Sequence, residues 1–172
     1  GAVTLNATGS TVSTGTVQAG NGNITLAGTR VSTGTMTTTG AVSLTATSGN
    51  ISATVNDAAS VVAAASRSFS SVSVNLTSTS TTTPLNATTV TATATNCSSS
   101  SSCPSATVTL TGSQGVNVGT VSASAPATTY SGYTPQYQQH NTSVTVDGQA
   151  GSIQALSSAS QITATDVTLR TT

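Results

Sequence analysis

A short phrase of alternating apolar and hydroxyl residues returns along this chain at a nearly fixed interval, and a period of about twenty residues restricts a chain to very few folds. Ala2-Val3-Thr4-Leu5 reappears as Asn23-Ile24-Thr25-Leu26 and as Ala41-Val42-Ser43-Leu44, each within two residues after a glycine, at Gly1, Gly22 and Gly40. A second phrase follows each one. It runs Val12-Ser13-Thr14-Gly15-Thr16-Val17, then Val31-Ser32-Thr33-Gly34-Thr35-Met36, then more loosely Ile51-Ser52-Ala53-Thr54-Val55. Thr16, Thr35 and Thr54 stand 19 positions apart, and so do Val17, Met36 and Val55.

Alternation with a period of two puts successive side chains on opposite faces of a strand, so one face of each phrase is apolar. A unit of about twenty residues cannot bury such a face alone. Stacked about 4.8 Å apart, however, each strand pairs with its equivalent above and below. The repeat therefore predicts parallel pairs, with Val3, Ile24 and Val42 in an inward column. It also predicts a hydroxyl row of Thr16, Thr35 and Thr54 that can hydrogen-bond along the stack.

The expected fold class is all-β, a right-handed parallel β-helix (β-solenoid) of about 19–20 residues per coil with loop insertions, the hand being the default for parallel crossovers. One domain spans 1–172, with regular coils over 1–55, 106–122 and 141–172, and irregular or inserted segments at 56–70, 96–104 and 126–140. About eight coils fit, a rod of roughly 40 Å at the strand spacing. The Ala-rich stretch from Val61 to Phe69 reads as a candidate short helix, with Phe69 anchoring an insertion.

Charge is nearly absent. Charged residues are 3% of the chain, namely Arg30, Arg67, Arg170, Asp57, Asp147 and Asp166, and the formal net charge is zero. Such a surface has no basic stripe for nucleic acid and no polybasic patch for an anionic bilayer. Nor does any apolar run reach the 18 or so residues that cross a membrane, so no membrane insertion is expected. Roughly two-fifths of the residues are Ser or Thr, a composition shared by disordered, mucin-like stalks. Against disorder stand a mean hydropathy of +0.11, 35% hydrophobic residues, only four Pro, and an abundance of the strand formers Val and Thr. The chain opens on Gly1 without Met or a signal-like apolar segment, as expected of a processed product or an excerpt.

The phrases GAVTLNATGSTVSTGTV, GNITLAGTRVSTGTM, GAVSLTATSGNISATV and ATVTLTGSQGVNVGTVSA resemble the repeats of filamentous haemagglutinin-type exoproteins, the large adhesins of bacterial two-partner secretion. The likeness covers the first 55 residues and 106–122 best. It implies a right-handed parallel β-helix, export to the cell surface, and a role as a long stalk or adhesive fibre, with host or surface glycans among its partners. That family's N-terminal secretion domain is not evident in this sequence.

Cys97 and Cys103 bracket five serines. Their separation suits a local disulfide, which needs Cα atoms about 4.4 to 6.8 Å apart, and a disulfide implies an oxidising compartment. Two Cys and one His fall short of the four ligands of a zinc site, so no metal or other cofactor is expected. Asn6, Asn23, Asn50, Asn75, Asn86, Asn96 and Asn141 each begin an Asn-x-Ser/Thr triplet, the acceptor for N-glycosylation. In so hydroxyl-rich a chain, many such triplets also arise by chance. Tyr130, Tyr133 and Tyr137 are all the tyrosines and lie beside His140. They suit a contact surface for a ligand or partner, since Tyr offers a large area with a polar tip; the alternative is a loop that simply covers one face of the stack or caps an edge.

Enzyme chemistry is not expected. Three scattered Asp without Glu offer no carboxylate pair, and His140 is the only His for a triad that also lacks a Gly-x-Ser-x-Gly elbow. The function expected is an extracellular structural one, as a stalk or fibre segment of a surface adhesin. Its partners are then further coils of a longer chain or copies of itself, because neither end shows a charged or Pro-rich cap. The alternatives are a self-assembling filament subunit joined by strand addition and, more remotely, an ice-binding module built on its Thr rows.

Overall fold

The computed structural model describes residues 1–97, 103–126, 128–129, 138–139 and 141–172. Among these there is no helix. The strands are β1 (Val3–Thr14), β2 (Val17–Gly20), β3 (Ile24–Thr38), β4 (Ala41–Ala46), β5 (Ile51–Asn56), β6 (Ser60–Ser68), β7 (Val72–Ser78) and β8 (Leu85–Thr95). They continue as β9 (Ala106–Gly112), β10 (Gly115–Ser124), β11 (Thr128–Thr129), β12 (Gln138–Gln139), β13 (Thr142–Asp147), β14 (Ser152–Ala155), β15 (Gln161–Thr163) and β16 (Asp166–Arg170). Fourteen of them form one parallel sheet, while β11 and β12 make a separate antiparallel pair.

Strand β3 organises the sheet, because on one edge it pairs with β1 and then β2 along its length, and on the other with β4 at its start and β5 further on. From β4 one arm continues through β6, β8 and β10 to β14. From β5 the other continues through β7, β9 and β13 to β16. The arms lie against each other, β6 by β7, β8 by β9 and β10 by β13, so the sheet nearly closes on itself, as in a parallel β-solenoid. Alternating strand numbers along each arm follow from a chain that visits both arms in every circuit.

The register builds columns of equivalent side chains. Val3, Ile24, Val42 and Val61 pair in succession, which is the inward column expected from the repeat. Two further columns run through seven levels. On one arm Leu5, Leu26, Leu44, Ala63, Val90, Val121 and Ile162 follow one another. On the other the order is Val12, Val31, Ile51, Val74, Val108, Val144 and Val167. Their interior members are all buried to 1% exposure or less. Each level removes its apolar face from water only by lying between two others, and full burial of one Val or Leu side chain contributes about 1.5–3 kcal/mol. Thr35 pairs with Thr54, and Val17 with Met36 and then Val55, as the 19-residue spacing required.

Three expectations are corrected. The stretch from Val61 to Phe69 is not helical: Ser60–Ser68 is strand β6, with Val61, Ala63 and Ala65 buried and Val62 and Ala64 exposed. Pairing with β4 and β8 on both edges overrides the helix preference of its alanines. Phe69 is no buried anchor, since it turns out of β6 with φ 57° and is 60% exposed. The longest columns count seven levels rather than eight. The sequence between β8 and β9 and between β10 and β13 is long, and six strand spacings give a stack of roughly 29 Å.

The glycines that open the repeats mark a corner where successive levels nearly touch. A Cβ on Gly40 would lie 2.7 Å from the Gly22 carbonyl oxygen, closer than packed atoms allow. Thr38 closes the same corner, its Oγ1 donating to the carbonyls of Gly20 (3.1 Å) and Gly22 (2.5 Å) while accepting the Gly40 N–H (2.9 Å).

Candidate functional site

Hydroxyl and amide side chains join one level to the next most densely at the corners. Asp57 follows β5 in a left-handed conformation, φ 63°. Its Oδ1 accepts hydrogen bonds from Ser80 Oγ at 2.6 Å and Thr83 Oγ1 at 2.9 Å. Ser80 in turn accepts the N–H groups of Thr82 and Thr83, and its carbonyl accepts Ser113 Oγ at 2.5 Å. Residues after β5, β7 and β9 are thereby tied into one polar column. The hydrogen bonds from Ser80 above all, then from Thr83, hold the Asp57 carboxyl below its ordinary value against the opposing effect of burial, with Thr82 adding least.

That depression sets a sign. Unfolded Asp titrates near 3.9, so the stabilisation by Asp57 is fully present above about pH 4 and is lost as pH falls through the lower folded value. Asp57→Asn is expected to be less stable than wild type at about pH 6 and to lose less stability than wild type on going to about pH 2. Urea denaturation at the two pH values checks this; parallel losses in the two proteins would refute the assignment.

The Asn-x-Ser/Thr triplets acquire a structural reading from the strand period. In five of them the middle residue is an inward side chain at 5% exposure or less, namely Ile24, Ile51, Leu76, Ala87 and Thr142. Asn and the hydroxyl residue then flank it on the outside. Several of these amides serve the stack itself. Asn23 Oδ1 accepts the Ala41 N–H and Asn50 Oδ1 the Ser73 N–H, each at 3.0 Å. Asn86 donates to the Ala58 carbonyl at 2.9 Å and accepts from Asn117 Nδ2 at 2.8 Å, and Asn96 Nδ2 donates to Ser68 Oγ at 3.1 Å. Glycan attachment uses Nδ2, which Asn86 and Asn96 commit to hydrogen bonds. Asn6, Asn75 and Asn141 are exposed.

Cys97 and Cys103 form a disulfide with Cα atoms 4.3 Å apart, in the excursion between β8 and β9. Closing so short a loop contributes about 2 kcal/mol through chain entropy. Tyr130, Tyr133, Tyr137 and His140 lie outside the described residues. Among the described residues no group of three or more His, Cys, Asp or Glu is placed to hold a metal ion, and no helix is long and apolar enough to cross a membrane.

The two ends of the stack carry the exposed apolar surface. Leu5 in β1 is 40% exposed, Val167 and Leu169 in β16 are 46% and 54% exposed, and Leu156 after β14 is 43% exposed. Among the described residues, only Val62 and Phe69 of the exposed large apolar side chains lie elsewhere. At the later end an open depression of ≈ 650 Å³ separates Ile153 from Leu169. Strand β16 is pinned to β13 there by Arg170, whose Nη2 lies 2.8 Å from Asp147 Oδ2. The Gln149 N–H donates to the other oxygen of Asp147 at 3.0 Å.

No family model matches the chain, and no curated protein or solved structure matches it significantly.

Proposed function

We propose that the chain is a structural segment of an extracellular stalk or fibre. In this reading it is a right-handed parallel β-helix with a basic coil of about 19–20 residues, lengthened where loops are added, of the kind used by filamentous haemagglutinin-type adhesins. The observation that carries it is the column from Val12 to Val167, apolar at all seven levels. A core that is the same at every level specifies length rather than a pocket. A surface with 3% charged residues and many short hydroxyl side chains suits a passive rod, and the Cys97–Cys103 disulfide fits an oxidising compartment. A stalk holds a binding region away from its cell, with surface glycans as the class of target.

Two measurements test this. Small-angle scattering of the purified chain is expected to give a rod of constant cross-section about 29 Å or more in length, and antibody to the chain is expected to label intact cells. A globular or disordered scattering profile, or labelling only after the cells are permeabilised, would overturn the proposal.

A further inference from the structure

We infer that a shallow polar depression on the flank of the stack, centred on Arg30, binds the carboxylate of a uronic acid unit in a polysaccharide. The choice of a sugar polymer rests on the reading of the chain as an extracellular segment facing surface glycans. The carboxylate follows from the site itself.

Three consecutive levels of one arm build the depression. Arg30, Asn50 and Ser73 each stand just before an inward residue of the Val31, Ile51 and Val74 column, and Ser32, Ser52 and Asn75 each stand just after it. Strand alternation turns all six side chains outward, in two columns about 6.6 Å apart with levels about 4.8 Å apart. With Val31 and Ile51 as a floor they surround ≈ 230 Å³, below the roughly 300–1,000 Å³ of pockets that take drug-sized ligands. One sugar unit fits. The polar face continues past it through Thr107 and Thr109, so a longer saccharide has somewhere to run.

Arg30 supplies the charge. Arg170 is paired with Asp147, and Arg67 donates to the Ser71 carbonyl at 3.4 Å. The Arg30 side chain, by contrast, makes no hydrogen bond or ion pair among the described residues. It leans over the next level: a Cβ on Gly49 would lie 3.2 Å from Arg30 Cβ and 3.4 Å from its Nε. Glycine at that position leaves the guanidinium room beside Asn50. The Asn50 Oδ1 accepts the Ser73 N–H at 3.0 Å, which leaves its Nδ2 group to donate elsewhere. The carboxylate in the Arg30 column belongs to Asp166, beyond Thr107 and Ser143. That is five strand spacings, roughly 24 Å, against a screening length of about 8 Å at physiological salt.

The planar fork of an arginine matches a carboxylate through two parallel N–H···O bonds. One cation suits a group of single charge, whereas a phosphate backbone calls for several. Around it the serine hydroxyls and the Asn50 and Asn75 amides both donate and accept, as sugar hydroxyls require. The floor is aliphatic and buried, so it offers no ring on which a sugar could stack. Binding is therefore polar, with a dissociation constant expected on the order of 1 mM.

NMR titration of the isotope-labelled full chain with an oligogalacturonate tests the site. Amide shifts are expected at Ser32, Ser52 and Ser73, and a neutral oligosaccharide of the same length is expected to cause none. Arg30→Gln, at an exposed position without an internal partner, is expected to weaken binding about tenfold or more, while Arg67→Gln leaves it unchanged. No shifts up to about 10 mM ligand, equal shifts from the neutral oligosaccharide, or shifts from a sialoside alone would overturn the proposal. Acetate binding as tightly as the oligogalacturonate would overturn it too, by reducing the site to one for small anions. A rod-shaped scattering profile without shifts would sink the site and leave the stalk reading standing. Shifts as expected, with cells labelled only after permeabilisation, would sink the extracellular reading and leave the site.

Discussion

Replacing Gly119 with alanine is expected to destabilise the fold by about 3 kcal/mol, near the upper end for forcing extra atoms into a packed interior. Gly119 lies within β10, opposite a place where β8 holds one residue more than its other neighbour. Val61 pairs with Ala87 and Val62 with Thr89, leaving Thr88 over, while Val118 pairs with Ala87 and Thr120 with Thr89. Thr88 therefore faces Gly119. A Cβ there would overlap the Thr88 carbonyl, a backbone atom with strands on both sides and no free direction in which to retreat. Gly15 is the control, since nothing lies within 4 Å of a Cβ built on it and its alanine variant has only unfolded-state entropy to lose. Urea unfolding is expected to show a lower midpoint at unchanged slope for Gly119→Ala and no loss for Gly15→Ala. Equal midpoints for Gly119→Ala and wild type would refute the close approach.

The contrast between these glycines shows what a sequence carries and what it does not. The column of Val3, Ile24 and Val42 was legible because a branched apolar residue alternates with hydroxyls at a fixed interval, and both the period and the apolar contrast are local. Strand β6 was not legible, although it obeys the same period. With Val61, Ala63 and Ala65 inside and Val62 and Ala64 outside, its two faces are chemically alike, so alternation leaves no trace and the helix preference of alanine dominates a local reading. What decides its conformation is pairing with β4 and β8, which belongs to the stack and not to the segment.

The polar corner was illegible for a related reason. Asp57, Ser80 and Thr83 are brought together only by the register of β5 with β7, across an interval that no motif spans. The Asn-x-Ser/Thr triplets are the opposite case. They were visible as a modification signal, yet the strand period alone generates their spacing whenever Asn occupies an outward position before a buried residue. That Leu5 and Ile162 belong to one column was not legible either, because six successive strand pairings link them.

That column also supplies the prediction with the largest expected effect. Leu44→Ala is expected to cost about 4 kcal/mol, within the range for emptying a buried leucine site. Leu44 is 1% exposed and lies between Leu26 and Ala63. The neighbour on one side is already an alanine with no length to fill the hole, and strand pairing fixes the spacing of the levels, so the cavity cannot collapse. Leu5→Ala removes the same atoms from the same column at its end, where the side chain is 40% exposed, and is expected to cost under about 1 kcal/mol in the dilute monomer. Thermal unfolding of both variants checks the pair, with a midpoint lowered by roughly 8 °C or more for Leu44→Ala and by a few degrees at most for Leu5→Ala. Similar losses for the two would mean that burial between levels is not what holds the stack.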